Sequence, residues 1–509
     1  MWIDWIAAIT PILILLLVMV RFHWGASRAG PLGWFAAIGI AFLRFGFDLE
    51  ILAWAQAKAF YLALDVLLIV WGAFFLYRVV AEAGGIRLLR DSLAKLSTDP
   101  CMQGLLIAWA FASFLQGVGG FGVPVAVAAP LLVGLGFSPL TAVVAPSIGH
   151  AWAVTFGSLA SSFQALIAAS GVEASLLAPM CALFLAVAGF GCGVAVTAVI
   201  GGWTGIRRMA IPIFVMGTAM GGAQYIVVTS GFWNLGGLSA GLAGMFSGLL
   251  LVRYFKGSAA EEQASSAPYG ISAYLPYVIL IVITLALQFV PVLSERFSVI
   301  AFRGSFPRLE TARGYVTLAE DGKNIILLRH AGMILFYTAA LAYAYYAMRG
   351  ILKVRALRAI AGETLRNVLP SSLGVASMVS MAVVMANSGM TQALAEGLAA
   401  LAGGFFPAVA VWIGALGAFI TGSNTNSNVI FALLQRSTAE ILALPTAVIL
   451  AAQTSGAALG SIVSPTKIVV GASTTGMRGH EGEVLRALLR SMLVLILFLS
   501  LVVLLVVYL

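Results

Sequence analysis

Two stretches of unusual composition interrupt long apolar sequence in this chain, and their residues are suited to binding a small ligand. Residues 421–428 read TGSNTNSN, which places a hydroxyl or an amide at almost every position. Residues 117–124 read GVGGFGVP, where the glycines and the closing proline oppose a straight helix. Hydroxyls and amides can hydrogen-bond a carboxylate or a hydroxyl, and their oxygens can bind a cation. The alternative interpretation is polar contact between helices without a ligand.

Three ionisable side chains in apolar surroundings, His150, Lys467 and Asp65, are candidates for holding or moving a charge. An ionisable residue within a membrane is a functional hypothesis by default, and histidine titrates near physiological pH. Lys467 could pair with a ligand carboxylate or occupy the place of a coupling cation. The alternatives are a neutral, hydrogen-bonded His150, a Lys467 that extends to the membrane surface, and an Asp65 at the outer interface.

The composition identifies a membrane protein. The chain has 509 residues, of which 61% are hydrophobic and 9% are charged, and its mean hydropathy is +1.04. Many runs approach the ~20 apolar residues that a spanning helix needs. The net charge of +9 does not indicate nucleic-acid binding, because the basic residues lie in the gaps between apolar segments, as orientation signals do.

Metal, nucleotide and disulfide chemistry find little support in the sequence. Cys101, Cys181 and Cys192 have no CxxC spacing and are interpreted as small apolar fillers. No His/Asp/Glu group has the spacing of metal ligands, which argues against an intramembrane enzyme. The stretch GVGGFG satisfies GxGxxG, but no strand precedes it and no acidic residue follows at the required distance. We therefore expect no metal and no organic cofactor.

The apolar runs predict about 12 transmembrane helices, beginning with a retained helix that lacks the features of a signal peptide. The predicted spans are 5–22, 32–54, 61–80, 139–160, 176–200, 210–229, 233–252, 271–290, 330–348, 370–388, 445–462 and 491–509. Arg44 and Asp48 are four residues apart and are expected to neutralise each other on one helix face. The basic stretch 349–370 predicts a helix on the cytoplasmic interface, and 291–329 predicts an extramembrane lobe.

Two further apolar stretches, 102–136 and 405–435, are broken at their centres and are interpreted as re-entrant hairpins. With the N-terminus outside, this arrangement places 18 of the 28 basic residues in inward loops and only Lys58 and Arg436 in short outward loops. The long loop 291–329 also falls outside and is basic, but long loops follow the rule poorly. One hairpin then enters from each side of the membrane. Two tips that meet near the midplane would direct helix N-termini, with unpaired N–H groups, at one anion.

Similar sequence follows each of the two hairpins, which indicates an inverted repeat. Pro139 lies 22 residues after Gly117, and Pro445 lies 23 residues after Gly422. Landmarks follow in the same order, with SIGHA (147–151) and TFGS (155–158) in the first half and TSGAA (454–458) and SIVS (461–464) in the second. The predicted organisation is a first repeat with N-terminal helices in 1–252, a connecting segment with the lobe in 253–329, and a second repeat in 330–509.

At these motifs the chain resembles the lactate permease family, within a superfamily of carboxylate and ion transporters with paired re-entrant hairpins. The resemblance rests on GGFGVPVAVAAPLLVGLGFSPL (119–140), TGSNTNSNVIFALLQ (421–435), GAALGSIVSPTKIVVGAS (456–473) and GMRGHEGEVLR (476–486). It implies uptake of lactate, and often glycolate, by proton symport across the cell inner membrane. It further implies a homodimer with elevator-type movement. By position it implies substrate contacts from Gly119, Gly120, Phe121, Gly122, Pro124, Ser423, Asn424, Thr425, Asn426, Ser427 and Asn428.

Three positions depart from the pattern of the family. Its members typically carry an aspartate where Asn424 stands, usually a non-basic residue at Lys467, and generally no histidine at His150. The leading hypothesis is a proton-coupled carrier of a small 2-hydroxymonocarboxylate, with His150, Lys467 and Asp65 as coupling candidates. The alternatives are a sodium-coupled or differently selective organic-anion carrier and, from another class, an intramembrane enzyme or a channel-like subunit.

Overall fold

The computed structural model describes residues 2–22, 24–85, 97–118, 122–254, 275–322, 324–477 and 480–509. Within this part the chain is almost entirely helical, and nine helical segments are long and apolar enough to cross a membrane. The helices are α1 (Trp2–Arg21), α2 (Ala26–Arg44), α3 (Leu49–Glu82), α4 (Pro100–Val118), α5 (Val123–Gly134), α6 (Pro139–Gly149), α7 (Ser161–Ser170), α8 (Ala174–Arg208), α9 (Ala210–Thr229), α10 (Gly236–Val252), α11 (Leu275–Phe289), α12 (Pro291–Arg296), α13 (Ala331–Met348), α14 (Val354–Asn387), α15 (Met390–Ala402), α16 (Phe406–Thr421), α17 (Asn424–Ile441), α18 (Thr446–Gly460), α19 (Pro465–Thr475) and α20 (Glu481–Tyr508).

The predicted spans fall largely on helices. A turn at residues 45–48 divides the span 32–54, and residues 150–160 interrupt the span 139–160. Two further predictions need correction. The interruption predicted between 54 and 61 does not exist, because α3 runs without a break from Leu49 to Glu82. It begins there because the Asp48 carboxylate caps it, accepting from the Ile51 amide at 2.8 Å. Its residues 55–60, AQAKAF, include strong helix formers that carry it onward. Lys58 therefore lies within a helix and not in an outward loop.

The second correction concerns the basic stretch 349–370, which is not a separate interfacial helix. It forms the first half of α14, which continues through Pro370 to Asn387. Packing against both α2 and α3 stabilises α14 as one element.

The expected Arg44–Asp48 pair is also wrong. Arg44 Nε instead donates to Asp4 Oδ1 at 2.8 Å, which joins the end of α2 to the start of α1. Asp48 is occupied as the helix cap, and the chain turns between the two residues, so they do not share a helix face.

Both predicted hairpins consist of two helices that pack on each other, α4 with α5 and α16 with α17. Part of α4, Gly104–Phe111, is a π-helix, and all of α4 beyond Pro100 is buried. In the second hairpin α17 extends to Ile441, beyond the predicted end at 435.

The helices pack in two groups. In the scaffold, α2, α3, α13 and α14 pack along one another, with α1 on α2. An ion pair between Arg78 and Glu363 joins α3 to α14. In the core, the two hairpins pack with α6 to α10 and with α18 to α20.

Packing is reciprocal between the two halves of the chain. In the scaffold, α2 packs on α14 while α13 packs on α3. In the core, the second arm of each hairpin packs on the second helix after the other hairpin, so that α17 meets α7 and α5 meets α19. This exchange is the arrangement that an internal repeat requires. The boundaries 1–252, 253–329 and 330–509 remain a prediction.

The segment 291–329 forms a lobe on one face of the molecule. After α12, three short antiparallel ladders pair β1 (Ala301–Phe302) with β6 (Ile325–Ile326), β2 (Ser305–Phe306) with β5 (Glu320–Asp321), and β3 (Leu309–Glu310) with β4 (Val316–Thr317). The lobe is fixed to the scaffold, because the Ala312 amide donates to Gly46 O at 2.8 Å and Tyr61 Oη donates to Phe302 O at 2.9 Å. This side is called the lobe face below.

Candidate functional site

The core contains two interrupted helices. The first consists of α6 and α7, separated by residues 150–160, which include a 3₁₀ turn at Ala151–Ala153. Three consecutive non-glycine residues there, Ser158, Leu159 and Ala160, have φ of 46°, 54° and 66°. Such left-handed backbone costs ~1–3 kcal/mol per residue and is concentrated at functional sites. The second interrupted helix consists of α18 and α19, separated by residues 461–464.

Four helices begin near these interruptions, in two pairs. The N-terminal half of α17 packs on α7, and α5 packs on α19. Each helix start presents amide groups without intrahelical partners and the positive end of a helix dipole. The arrangement favours negative charge at both meeting points.

Local chemistry explains the tip of the second hairpin. Gly422 ends α16 with a φ of +73°, a conformation that a residue with a side chain rarely adopts. Ser423 then caps α17, its Oγ accepting from the Asn426 amide at 3.3 Å. The polar residues that follow therefore occupy the first turns of α17, and Asn424, Thr425, Asn426, Ser427 and Asn428 are all buried.

Asn424 docks on the interruption of the first helix. Its Nδ2 donates to Thr155 Oγ1 at 3.0 Å, and its Oδ1 accepts from Thr454 Oγ1 at 3.4 Å. The hydroxyls of Thr155 and Thr454 are themselves 3.1 Å apart. Three distant segments thus share one hydrogen-bonded cluster, in which Thr454 comes from α18.

Asn428 and Thr425 extend the cluster to α7. Asn428 Nδ2 donates to Ser162 O at 2.9 Å and to Thr454 Oγ1 at 2.9 Å. The Ser162 and Thr425 hydroxyl oxygens are 3.0 Å apart. We call Thr155, Ser162, Asn424, Thr425, Asn428 and Thr454 the polar cluster.

A second layer of amides holds the hairpin in place. Ser427 Oγ donates to Gly414 O at 2.8 Å, across the hairpin. Gln453 Nε2 donates to Ser427 Oγ at 3.1 Å, and Gln435 Nε2 donates to Gln453 Oε1 at 3.0 Å. The hydrogen bonds of Ser427 therefore hold the hairpin together, whereas those of Asn424 and Asn428 reach the first interrupted helix.

Two carbonyl oxygens at the tip lack protein partners. Among the described residues, Asn426 Oδ1 and Asn428 Oδ1 are buried without a hydrogen bond. A buried acceptor without a partner lowers the stability of a protein by ~1–3 kcal/mol, so a hydrogen-bond donor or a cation would bind favourably to these two oxygens. A ligand hydroxyl or a bound ion could supply it.

His150 and Lys467 lie close enough to interact electrostatically. His150 is fully buried, and its Nδ1 lies 2.6 Å from Pro146 O. Because a carbonyl only accepts, Nδ1 carries a hydrogen, and Nε2 is buried without a partner in the described part of the chain. Lys467 Nζ donates to Ser461 Oγ at 2.8 Å. No carboxylate among the described residues pairs with this ammonium.

The remaining predicted residues fall into three cases. Gly122 has a φ of +88° and precedes α5, and buried Pro124 lies in the first turn of that helix. An added Cβ at Gly122 would lie 3.9 Å from Val470 of α19, so this hairpin tip approaches the second interrupted helix. Gly119, Gly120 and Phe121 lie outside the described residues, as does the side chain of Asp65, whose backbone lies within α3.

Sequence reasoning missed four polar contributors, Thr155, Ser162, Thr454 and Ser461. Three of them, Thr155, Thr454 and Ser461, stand in the landmarks TFGS, TSGAA and SIVS, which the repeat had already singled out. Their recurrence was therefore a usable signal. Ser162 lies outside these landmarks and could be assigned only after the helices were placed.

In the described part of the chain, no group of three or more His, Cys, Asp or Glu side chains comes close enough together to hold a metal ion. Cys101, Cys181 and Cys192 are free and buried. The chemistry available around the interruptions is that of neutral donors and acceptors with Lys467 and His150.

These features define a class: a multi-pass α-helical membrane protein with two helical hairpins and two interrupted helices around buried polar residues. The model of the L-lactate permease family matches residues 4–509, so the chain belongs to that family of permeases and is a transporter and not an enzyme.

Relatives match over nearly the whole chain. The L-lactate permease of Bacillus subtilis is 26% identical, covering 98% of this chain and 98% of that protein. The glycolate permease GlcA of Escherichia coli K12 is 26% identical, covering 94% of this chain and 91% of that protein. Among solved structures, the YdaH transporter of Alcanivorax borkumensis is similar with a TM-score of 0.46 and 14% identity, covering 87% of this chain and 84% of that chain.

Proposed function

We propose that the protein imports a small 2-hydroxymonocarboxylate, lactate or glycolate, by proton symport across the cell inner membrane. The observation that carries the proposal is the polar cluster, where the tip of the second hairpin meets the interruption of the first helix. Membership of the L-lactate permease family and the names of the relatives support the substrate class.

The two parts of such a substrate match two kinds of group in the core. A carboxylate needs positive charge, which the Lys467 ammonium and the helix N-termini supply. A 2-hydroxyl can donate to one unpartnered amide oxygen, Asn426 Oδ1 or Asn428 Oδ1. Neutral donors select for shape and polarity without adding charge.

The proton is assigned to His150. Its unpartnered Nε2 can accept a proton while Nδ1 keeps its contact with Pro146 O. A protonated His150 beside Lys467 would place two positive charges together, which a bound carboxylate would relieve. Binding of proton and substrate would then favour each other, as symport requires.

A sodium-coupled or differently selective organic-anion carrier is the second candidate. It is favoured by the same two amide oxygens, because neutral oxygens are suitable ligands for a hard cation. Movement of the core against the scaffold and assembly as a homodimer belong to the proposal in either case, and cross-linking of the reconstituted protein tests the dimer.

Uptake by the purified protein in proteoliposomes decides between the candidates. Labelled L-lactate and glycolate are offered under an inward proton gradient, with and without sodium, and a protonophore serves as the control. Accumulation that the protonophore abolishes supports proton symport. Accumulation that requires a sodium gradient selects the alternative, and failure of every carboxylate under every gradient overturns both.

A further inference from the structure

A partly open cavity of about 600 Å³ lies on the lobe face, between the scaffold and the core. One wall comes from α3 and α14, represented by Tyr61 and Ala382, and the lobe contributes Phe306. The opposite wall comes from α7 and α17, represented by Ala169 and Arg436. The cavity is therefore bounded by both helix groups.

The inner end of the cavity lies next to the polar cluster. Ala165 and Val429 line the cavity and are both buried. Ala165 is three residues from Ser162 on α7, and Val429 is four residues from Thr425 on α17, so each is ~one helical turn away. The Ser162 and Thr425 hydroxyl oxygens, 3.0 Å apart, lie ~one helical turn beyond this inner end.

The walls leave room for a small organic ion and carry charges of both signs. Many lining residues are alanine or glycine, which leave space near the backbone. Lys58 from α3 and Arg436 from α17 bring basic groups to the two walls, and Glu173 and Asp321 add carboxylates. Asp321 is paired with Arg303 at 3.2 Å, and Arg436 with Glu440 at 2.7 Å.

We propose that this cavity is the entrance by which the substrate reaches the polar cluster from the lobe face, and that Ser162 and Thr425 form its inner constriction. The inference rests on the proposed function for its substrate class. Because its walls belong to different helix groups, displacement of the core against the scaffold would open or close the passage. The orientation that the sequence predicts, with the N-terminus and the 291–329 lobe outside, places its mouth outside the cell.

Cysteine labelling from the outside tests the entrance. The three native cysteines are buried, so they give a low background. Ala169→Cys places a thiol on the cavity wall, and Ser175→Cys places one at the same end of the core on an exposed residue that does not line the cavity. The impermeant anionic reagent MTSES is applied to right-side-out vesicles, and lactate uptake is measured.

We expect MTSES to slow uptake by Ala169→Cys at least fivefold, and lactate to slow the labelling. Labelled Ser175→Cys should retain its uptake. Thr425→Cys, at the constriction itself, should react at least tenfold more slowly than Ala169→Cys.

Complete labelling of Ala169→Cys without loss of uptake, or labelling only from the inside, would overturn the entrance. Equal reaction rates at positions 169 and 425 would overturn the constriction. If the unlabelled protein takes up no lactate, the substrate assignment fails separately. The side of labelling, and the effect of MTSES on whichever anion is carried, then still decide the entrance.

Discussion

Asn424 Nδ2 donates a 3.0 Å hydrogen bond to Thr155 Oγ1, across 269 positions of sequence. The bond joins the tip of one hairpin to the interruption of a helix in the other half of the chain. Both residues are buried, so neither can exchange its partner for water without movement of the hairpin. This contact ties the state of the tip to the first interrupted helix, and four predictions follow from it and its surroundings.

Asn424→Asp should make transport depend more steeply on acid pH. An ionised aspartate cannot donate to Thr155 Oγ1, whereas a protonated one can, so uptake should approach that of the wild type as the pH falls. The measurement is the initial rate of lactate uptake against pH. Asn424→Leu, which donates at no pH, is the control and should stay low throughout. Superimposable profiles for Asn424→Asp and the wild type would contradict the site assignment.

Lys467→Met should weaken binding of the carboxylate about tenfold or more, equivalent to ~1.4 kcal/mol. It removes the ammonium that donates to Ser461 Oγ and keeps a similar side-chain length. The KM of uptake and the thermal shift produced by lactate report the change. Lys353→Met removes an exposed lysine and should leave both values unaltered. Equal effects of the two substitutions would show that only net charge matters.

His150→Asn should abolish gradient-driven accumulation and spare substrate exchange. The asparagine amide can retain the hydrogen bond to Pro146 O, but it cannot take up a proton at neutral pH. Counterflow of labelled against unlabelled lactate measures exchange, and uptake under a pH gradient measures coupling. His150→Ala should give the same separation with a greater loss of stability. If accumulation survives in His150→Asn, the histidine is structural.

Gly456→Ala should destabilise the protein by ~1–3 kcal/mol, the usual cost of overpacking. A Cβ there would lie 2.8 Å and 2.9 Å from backbone C and Cα of Val411, so α16 and α18 could not keep their separation. Thermal unfolding in detergent provides the test. Gly39→Ala is the matched control, because a Cβ there meets nothing within 4 Å and α2 is helical. A similar melting temperature for both variants would refute the close approach.

The sequence alone determined the membrane class, most helices and both hairpins, for a local reason. Apolar runs, glycine and proline interruptions and caps act within a few residues, so GVGGFGVP and TGSNTNSN could be placed without knowing their neighbours. The same local reasoning split α3, because 54–61 carries the polar residues Gln56 and Lys58 in a helix-forming context. It also paired Arg44 with a residue four positions away.

Only the tertiary structure decided which polar residues share the core. Arg44 bonds to Asp4, Asn424 to Thr155 and Asn428 to Ser162, and each partner is fixed by helix packing across tens to hundreds of residues. The sequence could not join Thr155, Ser162 and Thr454 into one site, because a small hydroxyl residue can bond its own helix backbone anywhere in a span. Their role arises because the interruption of one helix and the tip of one hairpin arrive at the same place, and that coincidence is a property of the packed molecule.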